Sequence, residues 1–75
     1  MEIATFLSYS NEYYMFDLEN IGKMAFEEVH PKVLYQYNLR EDLDLVGEKF
    51  ELIFKEEYLE NEDLTIYKVE SLKLL

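Results

Sequence analysis

The chain has no cysteine and no tryptophan, and among its 75 residues are one proline, one histidine, two glycines and seven bases. Without cysteine there is no disulfide, no thiolate zinc site and no cysteine nucleophile, and small secreted domains usually need such staples, so a cytoplasmic setting is expected. The lone His30 would have to share a zinc site with carboxylates alone, which is unusual, and its expected role is a cap at the turn made by Pro31. Gly22 and Gly47 cannot make a glycine-rich phosphate loop. Ser8, Ser10 and Ser71 lack the Gly-x-Ser-x-Gly elbow of a nucleophile. With no nucleophile, base and metal set, the chain reads as a non-enzyme without a cofactor. Glu2 stands where a signal peptide carries a base, and the longest apolar run is far below the roughly 20 residues that span a bilayer, which predicts a soluble protein with no membrane partner.

What is present is hydrophobic residue and acid. Apolar residues make up 49% and aromatics 16%, too much for a disordered segment. The length fits one domain spanning 1–75, and at this size a single core rarely supplies more than about 3 to 5 kcal/mol. Ile3, Thr5, Leu7 and Tyr9 alternate with Ala4, Phe6 and Ser8, and Tyr14, Phe16 and Leu18 alternate with Tyr13, Met15 and Asp17, a period of two that predicts a hairpin turning at Ser10-Asn11. A break at Glu19 to Gly22 leads to a third strand over Lys23 to Val29. His30-Pro31 ends it, and the spacing of Val33, Leu34 and Tyr37 predicts a short helix reaching about Asn38.

Arg40 to Gly47 reads as a charged loop, Phe50 to Lys55 as a strand, Glu56 to Asp63 as a turn or strand extension, and Leu64 to Leu74 as a last strand with a bulge near Glu70-Ser71, where the apolar parity changes. Three strands, a short helix and two longer strands predict a mainly β fold: a small five-stranded OB-like barrel with one short helix between strands 3 and 4, or an SH3-like barrel.

Asp42-Leu43-Asp44-Leu45-Val46-Gly47 matches positions one, three and six of a calcium-binding EF-hand loop, but Val46 and Ile53 stand where oxygen ligands belong, so a polar turn is expected. Glu56 and Glu57 are neighbours in a strand-like run and point to opposite faces, so they cannot share a proton. Seven tyrosines suggest base stacking, yet seven scattered bases among seventeen acids oppose phosphate binding, so no direct nucleic acid partner is expected.

The formal net charge is -10, and ten of the seventeen acids lie between Glu41 and Asp63 with only Lys49 and Lys55 among them. Carboxylates two residues apart on a strand lie about 6.8 Å apart, near two phosphate steps of one DNA strand. Glu41, Asp42, Asp44, Glu48 and Glu51 together with Glu56, Glu57, Glu60, Glu62 and Asp63 therefore form a candidate array, provided the two segments meet, with Tyr58 and Leu59 as apolar anchors. The expectation is a small acidic inhibitor that occupies a basic, nucleic-acid-binding surface of a partner protein as a DNA or RNA mimic. In size and charge the chain resembles, in general character, the anti-defence inhibitors encoded by phages and other mobile elements. The alternative is a non-catalytic accessory or oligomerisation domain, a homo-oligomer among the options, using exposed Tyr and Leu residues, with acidity serving solubility.

Overall fold

In the computed structural model, which describes residues 1–75, the alternating apolar residues form six strands and one short helix, in the order β1 (Glu2–Ser10), β2 (Tyr13–Leu18), β3 (Gly22–Phe26), β4 (Glu28–Val29), α1 (Pro31–Gln36), β5 (Lys49–Leu59) and β6 (Leu64–Leu74). They make one open sheet of order β3-β2-β1-β5-β6-β4, antiparallel throughout except for the parallel β4–β6 pair. The fold is mainly β, as expected. The sheet is not a closed five-stranded barrel.

The expected third strand is interrupted at Glu27, and the reason is a change of partner. Up to Phe26 the segment pairs with β2, and from Glu28 it pairs with β6. Glu27 joins the two arrangements, its N–H donating to the Tyr67 carbonyl at 3.1 Å while its carboxylate accepts the Tyr67 N–H at 2.6 Å. The two ends of the sheet order, β3 and β4, are thus separated in the chain by one residue.

The first hairpin turns through Asn11 and Glu12, at φ 52° and 67°, the left-handed pair that a two-residue loop needs to match the strand twist. His30 caps α1 as expected, its Nδ1 accepting the Lys32 N–H at 3.0 Å with Pro31 in the first turn. The bulge falls where the parity change placed it: Ile53 faces Ser71 while Phe54 faces Val69, leaving Glu70 extra.

Inward residues of β1, β2, β3 and β5 supply an aromatic core of Phe6, Tyr14, Phe16, Phe26 and Phe50, all at most 2% exposed. Phe16 is its hub, with ring centroids 5.2 Å from Phe6, 5.8 Å from Phe26 and 6.3 Å from Phe50. Val33 of α1 and Leu39 after it are buried in the same cluster. No helix is long and apolar enough to cross a membrane.

Candidate partner-binding surface

The acidic residues divide between the two ends of one strand. β5 runs for 11 residues, from Lys49 to Leu59, so it spans about 33 Å at about 3.3 Å per residue, against a longest molecular dimension of 37 Å. Glu41, Asp42, Asp44 and Glu48 lie before it, and Glu60, Glu62 and Asp63 lie beyond it. The two segments therefore do not form one contiguous patch, and the condition attached to a single array is not met.

At the first end, the loop carries a short 3-10 turn over Leu43–Leu45, absent from the sequence reading, with Asp42 as its cap accepting the Asp44 N–H at 3.0 Å. The carboxylate that opens the calcium-like motif thus serves the turn. Gly47 N–H donates to the Phe6 carbonyl and Phe6 N–H to the Glu48 carbonyl, at 2.8 and 3.0 Å, tying the loop to β1. Glu41, Asp42, Asp44 and Glu48 are all exposed.

At the second end, Glu56 to Leu59 extends the strand and the turn is confined to residues 60–63. Glu56 lies opposite Tyr67 and Glu57 opposite Ile66, so the neighbouring carboxylates face opposite ways as expected. The hydroxyl of Tyr58 donates to Asp63, and that bond holds the phenol above its ordinary pKa. Tyr58 is 57% exposed, Leu59 is half-buried, and a groove of about 310 Å³ runs along residues 58–62. The tip thus presents a positioned aromatic ring among Glu60, Glu62 and Asp63. Glu51 lies between the ends, half-buried and facing Ile3 on one side and Lys73 on the other.

The bases complete the electrostatics in a way the sequence did not disclose. Only two ion pairs form in the molecule, Lys49 with Glu19 at 3.4 Å and Lys55 with Glu70 at 3.0 Å. Both bases of the acidic segment thus pair with acids outside it, and none of the ten acids from Glu41 to Asp63 forms an ion pair, with Glu51 lying opposite Lys73 in the ladder. The lone Arg40 is directed away as well. Its Nε donates to the Tyr14 hydroxyl at 2.8 Å, and its guanidinium lies 5.5 Å from the Tyr9 ring centroid. The bond to Tyr14 holds Arg40 above its ordinary pKa.

The bond from Lys55 holds the Glu70 carboxyl below its ordinary pKa and Lys55 above its own. A depressed carboxyl contributes stability above its unfolded-state pKa and loses it as pH falls through the folded-state value. Glu70→Gln is therefore expected to lower the thermal midpoint slightly at neutral pH, with the gap from wild type closing in acid. Melts across that range check it; a constant gap would assign the loss to the bulge geometry instead.

Comparison with protein-family models, curated proteins and solved structures finds no match to this chain, and its functional reading rests on its own charge and shape.

Proposed function

We propose that the chain is an acidic, non-catalytic binding protein that covers a basic, nucleic-acid-binding surface of a partner protein as a DNA or RNA mimic, acting in the cytoplasm as an anti-defence protein of a phage or mobile element. The observation that carries this reading is that none of the ten acids between Glu41 and Asp63 forms an ion pair, their two neighbouring bases pairing elsewhere. Clustered charge of one sign costs a small domain stability through self-repulsion, and a function that uses the charge accounts for its retention. The two-ended arrangement fits the same reading. The two ends of β5, about 33 Å apart, are spaced like one turn of duplex, about 34 to 36 Å, so a partner that meets successive crossings of a duplex would meet the acids at both.

An OB-like barrel belongs to the proposal as the finer description of the fold. Taken as one bent strand, β3 and β4 flank β2 at one end and β6 at the other, which is the neighbour order of a small Greek-key barrel with its helix after the third strand.

The accessory or oligomerisation reading draws on exposed Ile53, Tyr58 and Leu64. Salt separates the two. A tagged pull-down is expected to recover a nuclease, polymerase or similar protein at low salt, with recovery lost at high salt and competed by duplex DNA or RNA. A salt-resistant partner indifferent to nucleic acid, or self-association alone, would overturn the mimic.

A further inference from the structure

The ladder between the bent third strand and β6 stops at Glu27 and Tyr67. Above that point, Gly22–Phe26 pairs only with β2, and Leu64–Ile66 pairs only with β5. Which backbone groups this leaves free follows from the alternation of antiparallel bonds. Glu19 N–H donates to the Ile3 carbonyl, so Asp17 also turns its backbone groups to β1, while Leu18, Phe16 and Tyr14 turn theirs to β3. Their partners Gly22, Met24 and Phe26 complete those bonds, and Lys23 and Ala25 turn N–H and C=O outward. Across the seam Tyr67 turns its groups toward Glu27, and by the same alternation Thr65 turns its own outward.

Beside this edge lies a groove of about 470 Å³ lined by Ile21, Lys23, Met24, Ala25, Glu27 and Tyr67. Ile21 is 55% exposed and available to an incoming side chain. Lys23 lies directly opposite Asp17, and Glu56 of β5 lies opposite Tyr67. Glu28, exposed, lies beside Lys68 in the parallel pair.

We propose that this seam is a strand-addition site, in which an extended, basic segment of a partner protein pairs with the outward backbone of β3 and places alternate apolar side chains in the groove. Main-chain bonds supply affinity in this mode of recognition, and alternate side chains supply specificity. Charge selects the occupant: a second copy would bring two chains of net charge -10 together, whereas a basic segment is attracted by that same net charge. The inference rests on the partner being basic and adds a backbone contact that charge mimicry does not need.

The test uses the full chain and a synthetic peptide of alternating lysine and valine, followed by titration and by amide exchange. The amides of Lys23, Ala25 and Thr65 are expected to become protected. Ala25→Pro removes an N–H that β2 does not use and should weaken binding about tenfold, as should Ile21→Ser at its exposed position if the proline variant misfolds. Binding that leaves these amides unprotected and is indifferent to both substitutions overturns the seam while leaving the charge reading intact. Failure of the peptide to bind also overturns it, with the low-salt, nucleic-acid-competed pull-down still judging the mimic separately. Protection that rises with protein concentration and needs no peptide would assign the edge to a second copy and overturn the basic occupant.

Discussion

Phe16→Ala is expected to unfold the domain. The ring is completely buried and meets Phe6, Phe26 and Phe50, so its removal takes contacts from four strands at once. Truncating a buried phenylalanine costs about 3 to 5 kcal/mol, the same size as the total stability expected of a single core in so short a chain, about 3 to 5 kcal/mol. The variant should therefore lose its cooperative thermal transition and its near-ultraviolet circular dichroism. A melt shifted by only a few degrees would mean that the core collapses around the gap or that its stability is larger than its size implies. Leu74→Ala is the matching control, since Leu74 is 41% exposed and surface changes of this kind have little effect.

The second large effect is on binding. Changing Glu56, Glu57, Glu60 and Glu62 to Gln and Asp63 to Asn removes half the net charge while keeping side-chain shape. Under the proposed mimicry, affinity for the basic partner should fall about a hundredfold at low salt, because each exposed carboxylate contributes a modest share and the shares accumulate over the cluster. The difference should shrink as salt screens both proteins. The fold should persist and its thermal midpoint rise, since self-repulsion is relieved. The corresponding change at Glu41, Asp42, Asp44 and Glu48 tests whether both ends of β5 engage together. Unchanged affinity in both variants, with the fold intact, would remove the electrostatic basis of the proposal.

Much of the fold was legible because its causes are local. The parity of Ile3 to Tyr9 and of Tyr14 to Leu18 set the first hairpin, His30-Pro31 set the start of α1, and the parity change at Glu70-Ser71 placed the bulge. The break at Glu27 was not legible, because what divides the third strand is a pair of bonds to Tyr67, forty residues away. Composition pointed the same way for a turn and for a solvated strand at Glu56 to Leu59. Tertiary pairing with Leu64 to Tyr67 decided for the strand, and that extension separates the two acidic groups.

The candidate residues were legible as an acidic population but not as an arrangement. A sequence gives the count of bases near Glu41 to Asp63, whereas the direction in which Lys49 and Lys55 point depends on which strand lies beside them. Lys49 reaches Glu19 because β5 and β2 flank the same strand, and Lys55 reaches Glu70 because the bulge adds a residue to β6 there.

The position of β1 in the sheet bears on how fast the molecule forms. β1 lies between β2, which follows it in the chain, and β5, which reaches it only after the intervening strands, helix and acidic loop. Pairing Glu2 with Leu52 and Glu28 with Lys68 closes two long loops, and the entropy of both closures is lost before either junction is covered. A chain with so many distant pairings should cross its folding barrier in milliseconds to seconds rather than in the microseconds of a local helical bundle. During that interval the Phe6 and Phe16 face of the early hairpin still lacks Phe50, so a newly made chain presents a sticky aromatic surface until its last third arrives.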